Sequence, residues 1–271
     1  SSTPTTSPTR PPPCLSLRRH ALRDPNTMAA TPHRLYSELA CWWPLLSPPS
    51  EYEEEAADLL PLLAPSSQPG PALTLLELGS GGGSLAAHLK SHFTLTLTDL
   101  SPAMLDVSRA INPECEHIPG DMRTLHLGRT FDRVLIHDAI MYATDESSLR
   151  ATLANAHRHC RPGGRIVVMP DFVRETFEPA TDHGGYDGAD GRALRYLEWT
   201  WDPNPADTTG EMVFTLVLRE PNGEIHTELD RHLFGIFPRA DWLRWFAELG
   251  LDTRIHHDPW DREVFIATRT D

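Results

Sequence analysis

The chain has 271 residues, 39% of them hydrophobic, enough for one large domain with a tail or an insertion. No apolar run reaches the roughly 18 residues that a membrane helix needs, which excludes a helical span. Acids outnumber bases 38 to 24, a net charge of −14, so duplex nucleic acid is repelled unless bases cluster, and outside the N-terminal tail they do not.

Residues 1–31 are expected to be a disordered tail or a leader. Positions 1–27 are rich in Pro, Ser, Thr and Arg without hydrophobic periodicity, and Met28 reads as a natural start. From His33, HRLYSELACWWPL has helical spacing punctuated by Pro44, Pro48 and Pro49. EYEEEAADLLPLL puts acids early and leucines late, as an amphipathic helix should. An alternation follows: strand 72–78, a glycine turn, the helix SLAAHLKSHF, strand 94–100, a helix capped by Ser101, a short strand in ECEHIPGD and strand 131–138. The helix ESSLRATLANAHRHC then stops at Arg161-Pro162-Gly163-Gly164, before strand 165–172. Such βαβ rhythm predicts a parallel sheet covered on both faces. It breaks at 173–200, an aromatic and turn-rich stretch. Residues 212–219 and 224–234 read as an antiparallel hairpin, RADWLRWFAELG as a helix ending at Gly250, and the last two apolar runs as an edge hairpin.

Chemistry is constrained before any motif is weighed. Lys90 is the only lysine among 24 basic residues, which removes nearly all lysine-based catalysis. Cys14, Cys41, Cys115 and Cys160 form no C-x-x-C pattern, and the histidines fall at no zinc-motif spacing, so no metal site is expected.

The stretch LLELGSGGGS, residues 75–84, runs from a strand through glycines into a helix start. Missing Cβ atoms let a ligand lie against the main chain, at the carboxyl ends of the strands where open α/β sheets bind ligands. Asp99 ends the second strand, 20 residues beyond Gly79, where a carboxylate can grip both hydroxyls of a ribose. Asp121 ends the third strand, within reach of an adenine amino group.

ELGSGGG, TDLS, GDM, FDRVLIHDAIMY and LANAHRHCRPGGRIVV, in this order, resemble the class I S-adenosylmethionine-dependent methyltransferases. The resemblance implies a Rossmann-like, mostly parallel seven-stranded sheet with helices on both faces and an antiparallel β insertion forming a lid. Residues 32–172 with 235–271 would bind the cofactor, S-adenosylmethionine, and 173–234 would roof the substrate. Glu77, Gly79, Ser80, Gly81 and Gly83 would hold the methionine end, Asp99 the ribose and Leu100 the adenine face, with Asp121 and Met122 reading its edge. His137 would lie near the sulfonium, as a cofactor contact and catalytic candidate. Gly82 stands where most members carry a larger residue, and a looser loop is expected. A nicotinamide-dependent dehydrogenase of the short-chain type needs a Tyr-x-x-x-Lys pair, and Lys90 has Ala86 four residues before it.

The methyl acceptor is left to the variable segment. DRHLFGIFPRADWLRWFAELGL resembles the matching part of bacterial N-methyltransferases acting on nucleotide-linked amino sugars, which makes an amine the leading acceptor. His232 is the candidate base. Tyr36, on the N-terminal segment, would lean on the cofactor, and Tyr142, past the fourth strand, would touch either ligand. Trp199 and Trp201 with Tyr186 and Asp202 would form an aromatic, acidic wall for a cation, and Arg195 would line the same pocket. Asp138 and Asp171 end adjacent strands as metal-holding acids do in catechol O-methyltransferases, but Phe172 replaces the Asn those enzymes carry next. Two alternatives stay open: O-methylation of a hydroxyl or carboxylate, which needs Arg192 and Arg195 facing the cleft, and a non-catalytic cofactor-binding subunit. A cytoplasmic location, a small-molecule partner and a homodimer are expected.

Overall fold

The computed structural model describes residues 33–64 and 71–270, so the expected tail lies outside the described residues. The N-terminal segment begins with two 3-10 turns, Arg34–Tyr36 and Ala40–Trp42, and a single helical turn, α1 (Trp43–Leu46). After it comes α2 (Glu53–Leu63), with three glutamates in its first turn against the positive end of the helix dipole.

The alternation then follows the chain. β1 (Leu73–Leu78), α3 (Ala86–Leu89), β2 (Phe93–Asp99), α4 (Pro102–Ile111), β3 (Glu116–Pro119), β4 (Phe131–Ile136), α5 (Glu146–His159) and β5 (Cys160–Val168) build the first half. Caps fix the helix starts: Ser101 Oγ accepts from Met104 N at 3.3 Å, and Asp145 accepts from Ser148 N at 2.8 Å. The expected ten-residue helix after the glycines is shortened to α3, because the bends of the glycine loop continue to Leu85.

Next come β6 (Ala180–Gly184), β7 (Ala193–Trp201), β8 (Thr209–Arg219) and β9 (Ile225–Gly235), then α6 (Arg239–Glu248), β10 (Leu251–His257) and β11 (Glu263–Arg269). The β8/β9 hairpin was legible in the sequence; β6 and β7 were not. The main sheet has seven strands in the order β10-β11-β5-β4-β1-β2-β3, with β11 antiparallel to both neighbours. β1 sits between β2 and β4, so the strand order reverses there and opens a crevice at its carboxyl end. Alternate strand residues feed two cores: Leu76, Val134 and Ile166 pack under α5 and α6, Leu75, Leu135 and Val167 under α2 and α3. Each such side chain contributes about 1.5–3 kcal/mol by leaving water. Among the described residues no helix is long and apolar enough to cross a membrane.

The second sheet, β6-β7-β8-β9, is antiparallel throughout. Its inner face carries Leu194, Phe214, Leu216 and Leu218 against Leu35, Leu39, Trp42 and Leu45 of the N-terminal segment. The segment is thereby clamped between the insertion and the carboxyl end of the main sheet.

Candidate active site

The glycine loop follows from its surroundings. Gly79, Gly81 and Gly83 have φ of 77°, 55° and 76°, the left-handed region that only glycine enters freely. A Cβ on Gly79 would stand 2.3 Å from the Cβ of Ala139, and one on Gly83 would stand 2.2 Å from Ser108 Oγ. At Gly82 the loop is filled rather than loose: a Cβ there would lie 2.2 Å from Trp43 Cδ1, so the indole of α1 takes the place of the larger side chain.

Around the loop lie polar atoms without protein partners. Glu77 is 2% exposed, and its Oε2, like Ser80 Oγ, has no hydrogen bond. Burial pushes the Glu77 carboxyl up to about 7. Asp99 turns toward the loop, accepting from Gly81 N at 2.9 Å and Ser101 N at 2.8 Å, and burial raises its pKa. Leu100, beside it, is 70% exposed, an apolar surface free to flank a ring. An orphaned buried carboxylate for an ammonium, bare main chain and an aspartate at the second strand's end fit the amino-acid and ribose parts of S-adenosylmethionine. Arg123 pairs with Asp121 at 2.6 Å and holds its carboxyl below the usual range. Met122 is half-buried against the core, and its carbonyl accepts from Asn155 Nδ2.

Beside the loop runs a chain of four side chains. The Tyr36 and Tyr142 hydroxyls are 2.6 Å apart, Tyr142 Oη is 2.7 Å from His232 Nδ1, and His232 Nε2 is 3.0 Å from Asp230 Oδ2. With Nε2–H donating to Asp230, Nδ1 is left to accept from Tyr142. Asp230 also accepts from Leu35 N at 2.7 Å, tying the N-terminal segment to β9. Burial raises both phenols, so both are neutral and each has one proton to pass on. At Asp230 burial opposes ionisation, but His232 outweighs it and holds the carboxyl below its ordinary value. His33, Asp230 and His232 bring ligand atoms within 4.8 Å of one another, a grouping that no sequence spacing announced. Leu35 N and His232 already satisfy the inward oxygen of Asp230, so hydrogen bonds account for the group without an ion.

His137 follows the carboxyl end of β4 and is bonded to two acids. Its Nε2 is 2.9 Å from Glu55 Oε1 of α2 and 3.2 Å from Asp138. Burial opposes its charge, but Asp138 and Glu55 outweigh that and raise it to about 9. It is the cation of a buried ion pair. Burial and the neighbouring Asp138 push Asp171 well above the carboxylate range.

Side-chain parity decides the insertion. Thr200, Met212 and His232 are in register across β7, β8 and β9, so they share a face, and Trp199 and Trp201 point the other way. Trp199 is 57% exposed and packs on Trp201 with ring centroids 5.0 Å apart, on the outer face. Arg195 is on that outer face too, paired with Asp187, while Tyr186 donates to Glu51 at the surface. Arg192 lies against the N-terminal segment, held by Asp190 and by the Cys41 carbonyl, so of the two arginines that O-methylation called for one is on the outer face and the other is engaged by protein atoms. The inner positions of β7 are Tyr196 and Glu198. With Tyr36, Trp43, Ser47 and Phe214 they line a cavity of about 160 Å³. Sequence reasoning missed Trp43, Tyr196, Glu198 and Asp230; only the period of two, counted from His232, points to Asp230.

Comparison with known proteins agrees with this geometry. Residues 75–164 match a family described as a methyltransferase domain. The dTDP-3-amino-3,6-dideoxy-alpha-D-glucopyranose N,N-dimethyltransferase of Streptomyces fradiae is 31% identical over 203 residues, 74% of this chain and 78% of that one. The crystal structure of Streptomyces venezuelae DesVI is 26% identical with a TM-score of 0.70, covering 80% of this chain and 91% of its own. An S-adenosylmethionine-bound amino pentose methyltransferase from Micromonospora echinaspora, also 26% identical, has a TM-score of 0.66 and covers 81% and 92%. Bare loop, orphaned carboxylate and relatives converge: the chain belongs to the S-adenosylmethionine-dependent methyltransferases, with small-molecule N-methyltransferases among its relatives.

Proposed function

We propose that this enzyme methylates the nitrogen of an amine on a sugar-sized molecule. The observation that carries the reading is the hydrogen-bonded chain Asp230–His232–Tyr142–Tyr36, which ends at the cavity beside the glycine loop. When bound, the cofactor supplies a methyl group already activated on a cationic sulfur. An amine arrives protonated and cannot attack until that proton leaves. Tyr36 lies at the cavity wall: its oxygen accepts the proton as its own passes to Tyr142, and the Tyr142 proton passes to His232 Nδ1. Asp230 stays ionised and stabilises the imidazolium, while its bond to Nε2 fixes the ring. Gly79, Ser80, Gly81 and Gly83 with Glu77 hold the methionine end, and Asp99 with Leu100 holds the nucleoside. The relatives' action on amino sugars supports nitrogen as the acceptor atom.

His232→Asn should lower kcat by roughly 10²–10³-fold while leaving S-adenosylhomocysteine affinity unchanged. An unchanged rate removes His232 as the base. The acid excess supports a partner other than nucleic acid. Together with the lack of a spanning helix among the described residues, it is compatible with the expected cytoplasmic location. The outer face of the insertion sheet carries exposed Leu197, Trp199, Leu229 and Leu233 with charges of both signs, including Arg231 and Asp187, which supports self-association about a two-fold axis.

A further inference from the structure

The cavity between the N-terminal segment and the insertion sheet suits the amino group of the relatives' substrates but not the dTDP part that their names carry. Its walls are the rings of Tyr36, Trp43, Tyr196 and Phe214, and its one ionisable acid is Glu198. Glu198 accepts from Thr200 Oγ1 at 3.1 Å, and among the described residues no arginine or lysine pairs with it. At about 160 Å³ the space takes one compact group, comparable to a cavity that holds a benzene ring. Aromatic faces around a carboxylate form an environment selective for an organic cation.

A diphosphate carrier requires the opposite environment. Phosphates are held by free guanidinium groups, lysines or open helix starts. Each described arginine of the N-terminal segment and insertion is already paired with an acid: Arg34 with Glu228, Arg174 with Asp202, Arg192 with Asp190, Arg195 and Arg219 with Asp187, and Arg231 with Glu211. Asp182 and Asp230 add further negative charge near Glu198, on the strands that flank the cavity.

We propose that this cavity is a recognition site for a compact organic ammonium ion, with Glu198 as its counter-ion, and that the acceptor enters without a nucleoside diphosphate. The proposal rests on the N-methylation reading and narrows its substrate class to cationic amines whose amino-bearing group is uncharged elsewhere. Burial raises the Glu198 pKa in the ligand-free protein, as expected of a carboxylate lacking its cation.

The test uses tetramethylammonium and thymidine 5′-diphosphate as probes, titrated into the full chain saturated with S-adenosylhomocysteine and followed by calorimetry and ligand-observed NMR. Tetramethylammonium should bind the wild type and lose about tenfold in affinity with Glu198→Gln, but not with Glu211→Gln on the outer face; thymidine diphosphate should not compete. Unchanged S-adenosylhomocysteine affinity in Glu198→Gln shows that the variant is folded. Cation binding indifferent to Glu198, or displacement by thymidine diphosphate, overturns the site. Glu198-dependent binding without methyl transfer to any amine would sink N-methylation and leave the cation site standing. Transfer to an amine without Glu198-dependent binding does the reverse.

Discussion

At Glu77 a buried carboxylate has one oxygen with nothing to bond, and burial holds its pKa near 7. A ligand ammonium would supply the missing partner and favour the ionised form. The free protein therefore holds a proton on Glu77 below about pH 7 that binding must release, so affinity for S-adenosylhomocysteine should rise from pH 5 to pH 7 and then level off. Calorimetry in buffers of different ionisation enthalpy reads that proton directly. Glu77→Gln should bind more weakly and without this slope; a slope that survives would mean another group takes up the charge. Asp99→Ala should cost roughly 1–3 kcal/mol of the same affinity, because it strands loop N–H groups as well as ligand hydroxyls.

Packing between elements sets where these residues can act. The indole of Trp43 lies on Gly82, so the N-terminal segment and the cofactor loop are complementary surfaces. Gly82→Ala should displace the indole, cost about 1–3 kcal/mol in thermal stability and weaken cofactor binding; adding Trp43→Ala should recover part of the loss. Additive losses in the double variant would show that the two positions do not touch. The insertion sheet teaches a different lesson. Its β8/β9 hairpin was readable from alternation and the Pro221-Asn222-Gly223 turn, whereas β7 reverses the usual rule, with Trp199 and Leu197 outward and Glu198 inward. Hydrophobicity then selects the wrong face: Trp199 and Trp201 lie outside, and the aromatic side chains that line the inner cavity are Tyr36, Trp43, Tyr196 and Phe214. Trp199→Ser should leave kcat/KM for an amine within about twofold, as exposed substitutions away from a site do.

Across the whole molecule, the parallel sheet and its switch point were legible because strand and helix periods differ and many glycines and prolines marked boundaries, although Pro61 lies inside α2 and Pro162, Gly163 and Gly164 lie inside β5. Contacts between distant segments were not: Glu55 and His137 are 82 positions apart, and nothing local announces their pairing. That pair, with Arg262, fastens α2 to the end of β4. His137 titrates near 9 in the folded chain against an ordinary 6.5, so its contribution is fully present below about pH 6.5 and lost as pH rises through 9. Burial opposes the ionised form of Glu55, but His137 and Arg262 hold it at about 2, so its contribution is present above 4.5 and lost as pH falls through 2. The contribution of this pair should therefore be highest between about pH 5 and 6.5 and decline by on the order of 2–3 kcal/mol toward pH 9.5, an alkaline slope read from thermal unfolding of the wild type against His137→Gln. His137→Gln should be less stable at pH 6 and nearly flat over the alkaline range. An unchanged alkaline slope in that variant would mean that another group carries it.

The most direct test of the central claim is single-turnover transfer from methyl-labelled S-adenosylmethionine to a pair of matched ring compounds, one bearing an amino group and the other a hydroxyl at the same carbon. The amine should be labelled on nitrogen, with His232→Asn slowing the step at least a hundredfold, and the hydroxyl compound should stay unlabelled. Label on the oxygen, or equal rates in the wild type and the variant, would contradict the account.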